Sequence, residues 1–144
     1  MIKMRYCQFL IILLLAGSSS TFAKESVGTS GEIGTGANPT MVNRLEISKP
    51  GVYENYVVDG NWASGNLVKI TADKVTLRNC EIRYGSGNGI GIFGKGVVIE
   101  NCRIHHMLNR TFDDQSDAHG ISGRWGDTVI RNCDISYCSG DCIQ

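Results

Sequence analysis

The sequence predicts an all-β solenoid, a chain wound into stacked coils of three short strands each. Three observations predict it. The stretch Val75-Thr76-Leu77-Arg78-Asn79-Cys80-Glu81-Ile82-Arg83 recurs as Val97-Val98-Ile99-Glu100-Asn101-Cys102-Arg103-Ile104-His105, and again as Thr128-Val129-Ile130-Arg131-Asn132-Cys133-Asp134-Ile135-Ser136. The copies keep a period of 22 residues once a single nine-residue insertion is removed. The apolar positions alternate with period two and are broken by Gly every few residues, which excludes a helical reading.

Taken in order, the chain opens on a segment with no place in the repeat. Lys3 and Arg5 form a basic start, Phe9 to Ala16 an apolar run, and Thr21-Phe22-Ala23 a small-residue cleavage site. Residues 1–23 therefore read as a secretory signal peptide. The apolar run falls well short of the ~20 residues that span a bilayer. A secreted or periplasmic location is expected, with no membrane association after cleavage. Without Lys3 and Arg5 the charge balance is −2, so nothing suggests nucleic acid as a partner. Residues 24–43 are rich in Gly, Ser and Thr and read as a flexible lead-in or N-terminal cap.

The coils occupy 44–144. Asn88-Gly89-Ile90, His119-Gly120-Ile121 and Asp141-Cys142-Ile143 each open a short apolar segment. The step from Asn79 to Gly89 is 10 residues, and so is that from Asn132 to Cys142, whereas that from Asn101 to Gly120 is 19. The excess of nine lies between Ile104 and Gly120. Counting back by 22 reaches Asn66-Leu67-Val68 and then Arg44-Leu45-Glu46-Ile47, the latter out of apolar phase by one. About four coils result, with Tyr56-Val57-Val58-Asp59-Gly60 placed as the earliest copy. Within one coil the strands are expected near Gly89–Phe93, Val97–Glu100 and Cys102–Ile104.

Equivalent residues of stacked coils become lateral neighbours ~4.8 Å apart. Ile82, Ile104 and Ile135 should form one inward column, Leu77, Ile99 and Ile130 another, and Cys80, Cys102 and Cys133 a third. Outward, Arg78, Glu100 and Arg131 alternate in sign, as do Glu81, Arg103 and Asp134. Of the six cysteines, Cys7 leaves with the signal. Cys138 and Cys142 either form a local disulfide or stay as two free buried thiols. The stretch stops at Gln144 without a cap, so it reads as the N-terminal part of a longer solenoid, or as a chain that depends on something to cover its end. A monomer is expected.

An Asn at the bend between the last two strands of each coil tolerates left-handed geometry, and stacked amides can bond one another. In this the chain resembles the right-handed parallel β-helix proteins of the pectate-lyase-like superfamily. There an Asn stack marks that bend, and Asn79, Asn101 and Asn132 match it. The resemblance covers roughly residues 44–144. It implies a carbohydrate-active protein working on an acidic polysaccharide, with the groove bordered by the loop between third and first strands.

That loop is where the insertion falls, as His105-His106-Met107-Leu108-Asn109-Arg110-Thr111-Phe112-Asp113-Asp114-Gln115-Ser116-Asp117-Ala118. Loops on a rigid scaffold tend to carry function. Asn66, Asn88, His119 and Asp141 are equivalent positions, so His119 and Asp141 should be neighbours and could form an acid–base pair. The plainer alternative is a polar ladder at a turn. The resemblance suggests a polysaccharide lyase, with His119 as base, Asp141 beside it and Arg124 neutralising a uronate carboxylate. His105, His106, Arg110 and Asn88 are expected to bind substrate. Asp113, Asp114 and Asp117 could hold Ca²⁺, a hard cation that takes oxygen ligands, or simply be a solvated acidic loop. Zinc at His105 and His106 is disfavoured, because adjacent strand side chains point to opposite faces. Asn109-Arg110-Thr111 is a glycosylation sequon by pattern.

Two further readings compete with the lyase. One is a non-catalytic carbohydrate-binding or surface β-helix. The other is a polygalacturonase-like hydrolase, whose Asp-Asp-Cys-Ile motif Ser139-Gly140-Asp141-Cys142-Ile143 resembles. There Gly140 replaces the first Asp, and His119 stands where another carboxylate would fall. Inverting hydrolysis needs paired acids, so elimination is the preferred reaction.

Overall fold

The repeat fixes the architecture because no single coil can bury its own apolar face. The computed structural model describes residues 33–110, 117–124 and 126–144. The segment read as a signal peptide lies outside them, as do Asp113 and Asp114. The described strands are β1 (Thr40–Val42), β2 (Leu45–Ile47), β3 (Gly51–Glu54), β4 (Tyr56–Ala63), β5 (Val68–Ile70), β6 (Val75–Arg78), β7 (Glu81–Gly85), β8 (Ile90–Ile92), β9 (Val98–Glu100), β10 (Arg103–Met107), β11 (Ile121–Gly123), β12 (Val129–Arg131) and β13 (Asp134–Cys138). They stack as three parallel sheets. Sheet 1 is β2-β5-β8-β11, sheet 2 is β3-β6-β9-β12, and sheet 3 is β1-β4-β7-β10-β13. The chain visits sheets 1, 2 and 3 in turn and then starts the next coil.

The predicted core columns are present. Val58, Ile82, Ile104 and Ile135 align across sheet 3, and Tyr53, Leu77, Ile99 and Ile130 across sheet 2. Sheet 1 contributes Leu45, Val68, Ile90 and Ile121. Cys80 and Cys102 are fully buried in the same cluster, with Cys133 packed against it. Each fully buried aliphatic side chain contributes about 1.5–3 kcal/mol. Cys138 and Cys142 are both free, Cys138 half-buried and Cys142 exposed. Burial and the neighbouring Cys142 push the Cys138 thiol up to about 11.

The corners are made by residues in left-handed backbone geometry. Lys74, Gly96 and Asp127 turn sheet 1 into sheet 2; Asn55, Asn79, Asn101 and Asn132 turn sheet 2 into sheet 3. At that second corner Asn101 Nδ2 donates to Asn79 Oδ1 at 2.5 Å, and Asn132 Nδ2 donates to Asn101 Oδ1 at 3.0 Å. Asn55 belongs to the corner but turns its amide elsewhere. It receives the Gly36 N–H at 2.8 Å and donates to the carbonyls of Ala37 and Asn38. Residues 33–39 thus run along the Asn corner, from Asn101, which accepts from Gly34, back to Asn55. β1 then pairs with β4 at the end of sheet 3.

Three expectations are corrected. The earliest copy of the repeat is residues 51–59, bending at Asn55, rather than Tyr56–Gly60; Glu54 pairs with Arg78 and Val58 with Ile82. Leu45 lies opposite Val68, an offset of 23, which removes the apparent phase error of that coil. The third strand is longer than expected, and β10 stays paired through Met107. His105 and His106 therefore belong to a strand, and the nine extra residues lie between Met107 and His119.

The charge columns also form, with two exchanges of partner, at Arg78 and at Glu81. Arg78 bonds Glu54 at 2.6 Å, Arg131 bonds Glu100 at 2.7 Å, and Arg103 reaches Asp134 at 3.5 Å. Such exposed pairs contribute about 0–1 kcal/mol each. Glu81 turns instead to Arg83 and His105.

The Asn corner yields a prediction. Asn101→Ala loses two lateral amide bonds and places a Cβ residue of poor left-handed tolerance at φ 53°. Chemical denaturation should show a loss of about 2–5 kcal/mol, from ~0.5–1.5 per bond and 1–2 for the backbone. Asn101→Gly keeps the turn and should lose only the bond component; an Asn101→Gly variant as stable as wild type would show that the amides contribute nothing.

Candidate functional site

Sheet 1 presents its outward column to solvent as Glu46, Lys69, Gly91 and Ser122. Gly91 has no side chain, and a Cβ there would lie 2.6 Å from the Asn66 side chain. The Asn66 amide takes that space and packs over the Gly91 backbone. An open cavity of about 360 Å³ adjoins it, with a lining that includes Asn66, Asn88, Gly91, Phe93, Ser122 and Arg124. The Phe93 ring is 49% exposed, and Lys69 Nζ stands 5.9 Å from its centre. Amides, a hydroxyl, an aromatic face and two cations thus share one outer face.

One flank of this groove is the column predicted from the repeat. Asn88 Nδ2 donates to Asn66 Oδ1 at 3.2 Å, and the His119 N–H donates to Asn88 Oδ1 at 3.2 Å. The Asp141 N–H donates to His119 Nδ1 at 3.0 Å. At the far end the Arg44 guanidinium donates to the carbonyls of Asn66 (2.9 Å) and Ser64. His119 and Asp141 are thus neighbours, as the spacing requires. The bond joining them comes from the main chain of Asp141, not from its carboxylate. A main-chain N–H can only donate, so Nδ1 accepts and the ring proton of neutral His119 sits on Nε2. His119 is only 7% exposed, whereas Asp141 is exposed.

The same contact explains the departure at residue 140. A Cβ on Gly140 would lie 2.8 Å from His119 Nδ1 and 2.6 Å from Asp117 Cβ. Any side chain there must displace the histidine, so an Asp at this position is incompatible with His119 as placed. Asp117 is exposed. Among the described residues no three His, Cys, Asp or Glu side chains gather as metal ligands.

The other expected binding residues lie at the far end of sheet 3. His106 has φ 58°, and its equivalents Tyr84 and Tyr137 have φ 55° and 53°. The left-handed residue acts as a bulge: Ile104 and Met107 point inward, while both His105 and His106 lie outside. The strict alternation that placed these histidines on opposite faces does not hold here. Trp62, Tyr84, His106 and Tyr137 form a row of rings with centres 5.4, 5.3 and 4.8 Å apart. Arg110 caps the row 4.9 Å above Trp62, and Arg83 lies 5.5 Å from the Tyr84 ring centre. Beside it runs a polar network. Arg83 bonds Asp59 at 3.0 Å and Glu81 at 3.1 Å, and His105 Nε2 meets Glu81 at 3.0 Å.

Sequence reading missed Lys69, Phe93 and the aromatic row. The row had a signal: Tyr84, His106 and Tyr137 each follow the corner Asn by five residues. Trp62 follows Asn55 by seven, because β4 carries an irregularity between Asp59 and Ala63.

The profile of the right handed beta helix region family matches residues 66–144, more than half of the chain. The chain belongs to that family. Comparison with curated proteins and with solved structures finds no match. As a right-handed β-helix, its three sheets place the groove on sheet 1, the Asn corner between sheets 2 and 3, and the aromatic row where sheet 3 leads back to sheet 1. Among the described residues no helix is long and apolar enough to cross a membrane.

The Glu81 network makes a pH prediction. Burial pushes the Glu81 carboxyl up, but hydrogen bonds from His105 and Arg83 outweigh it, leaving Glu81 below the usual carboxylate range. Stabilisation by a carboxyl lowered on folding is complete above its unfolded value and is lost as pH falls through the folded one. Wild type should therefore be more stable than Glu81→Gln near pH 7, and the gap should narrow as the solution is acidified below the usual carboxylate range. Thermal unfolding at neutral and at acid pH checks this; a gap that persists in acid would place the effect in packing rather than charge.

Proposed function

We propose that this β-helix binds an acidic, uronate-containing polysaccharide along the outer face of sheet 1. The observation that carries the reading is the composition of the groove: Phe93 exposed beside Arg124, with Asn66, Asn88 and Ser122 around Gly91. An exposed ring offers a sugar an apolar platform. Amide and hydroxyl groups match sugar hydroxyls, and a guanidinium grips a carboxylate with two parallel bonds. Lys69 adds a second positive charge at the Phe93 end. Secretion or a periplasmic location, expected from residues 1–23, would bring the protein to such a polymer.

Cleavage by β-elimination is a second reading, and one observation favours it. Arg124 lines the groove and Lys69 stands beside it at Phe93, so the guanidinium can neutralise the uronate carboxylate while Lys69, as the neutral amine, takes the proton α to it and the glycosidic oxygen leaves with a proton from water. His119 suits this chemistry as a donor through Nε2 rather than as the base, since its Nδ1 is occupied. Holding Asn88 and Asp141 in place is the role its bonds support.

The test uses the full chain with pectate, alginate and chondroitin in affinity electrophoresis. Retardation by at least one is expected, with Phe93→Ala and Arg124→Ala each weakening binding about tenfold, equivalent to ~1.4 kcal/mol. Absence of retardation by all three, or retardation unchanged in both variants, would overturn the assignment. Appearance of the ultraviolet-absorbing unsaturated product, lost in Lys69→Ala or Arg124→Ala, would establish elimination; retained binding without product would reduce the function to binding.

A further inference from the structure

The geometry points to a transition-metal site at His105 and His106, separate from the groove. The Nδ1 atoms of the two rings are 2.7 Å apart. Two imidazole nitrogens at that distance share a single position. It now holds one proton, which only one ring can supply. His105 Nε2 meets the Glu81 carboxylate at 3.0 Å, so its ring proton lies on Nε2 and its Nδ1 lone pair faces His106. Arg83 in turn bonds Glu81 at 3.1 Å. A ligating histidine whose other nitrogen donates to a held carboxylate is the usual outer arrangement of imidazole metal sites.

The left-handed backbone at His106 makes the pairing available, since it brings both rings to one face. Neighbouring rings then fix them. His106 stacks on Tyr137 at 4.8 Å and 22°, and is flanked by Tyr84 at 5.3 Å. Tyr84 also meets His105 edge-on at 5.8 Å. Both rings are therefore kept side by side, with rotation about χ2 left to aim their nitrogens.

The separation selects among ions. With metal–nitrogen bonds of about 2.0–2.1 Å, nitrogens at right angles are about 2.9 Å apart and tetrahedral ones about 3.3 Å. Opening the pair from 2.7 Å to about 2.9 Å is the smaller change, so the right-angled positions of Ni²⁺ or Cu²⁺ are reached with less movement than tetrahedral Zn²⁺. No third His, Cys, Asp or Glu joins the pair among the described residues, so water or a small ligand completes the shell. The rings meet nearly head-on, with centres 4.9 Å apart. Seating an ion turns each lone pair off the line between them, a rotation about the broad χ2 torsion of histidine. His106 moves its proton from Nδ1 to Nε2 as the metal replaces it, so both nitrogens ligate as neutral rings.

Ni²⁺ is the probe, because the exposed thiol of Cys142 would reduce Cu²⁺. Calorimetric titration of the untagged chain should show one Ni²⁺ bound per chain, tighter than Zn²⁺. His106→Phe keeps a ring between Tyr84 and Tyr137 but has no nitrogen, and should lose that site. His105→Gln should lose it too while keeping a partner for Glu81. Glu81→Gln should retain the stoichiometry and weaken the affinity about 10–100-fold. Circular dichroism of each variant separates loss of the site from loss of the fold. The proposal is overturned by the absence of saturable Ni²⁺ binding to the wild type, or by unchanged affinity in folded His106→Phe.

Discussion

Each coil of this protein is held by the coils on either side of it, through parallel main-chain ladders that run down three sheets. The rest of the structure depends on that lateral constraint. Because strands repeat at the ~4.8 Å spacing of a sheet, any residue at a given position must tolerate its own equivalents above and below. Aliphatic residues answer by forming continuous columns. Amides answer by bonding in series, as Asn79, Asn101 and Asn132 do. Charges answer by alternating, as Glu54–Arg78 and Glu100–Arg131 do. The choice of residue at each position is thus a choice about a column.

The same constraint decides how His119 behaves. It occupies a position held by Asn in the two preceding coils, and it takes over the amide's place in the series. Its main-chain N–H is caught by Asn88, and its Nδ1 catches the N–H of Asp141. Its main-chain N–H and one ring nitrogen are thus spent on continuity between coils. Gly140 follows from this, since the ring fills the space a side chain would need. Residues that look catalytic by type can be structural by position when the position belongs to a column.

Much of the fold was legible because columns leave a periodic trace. The Asn-Cys repeat gave the corner, the core and the charge pattern from spacing alone. Errors fell where the trace was interrupted. Asn55 was overlooked because two additional residues lie between it and Asn79, making the offset 24 rather than 22. His105 and His106 were assigned to a loop because the repeat was taken to end its third strand near Ile104, and strict alternation set the two rings on opposite faces. A left-handed residue breaks alternation without ending the pairing, and φ has no direct signature in side-chain polarity. The groove was legible only in part. Its flank was marked by Asn88 and its far side by Arg124, but its floor depends on the missing side chain of Gly91, and Phe93 became notable only once its exposure was known.

The bulge at Tyr84, His106 and Tyr137 has a consequence for how such a surface can vary. An ordinary strand offers the outside every second residue, so altering two adjacent positions disturbs the interior. Here two successive residues per coil face outward with Met107 and its equivalents still inside. Each coil therefore carries a two-letter word that can be rewritten without touching the core. A ridge built of such words can diverge quickly in chemistry, coil by coil, while the solenoid beneath it stays unchanged.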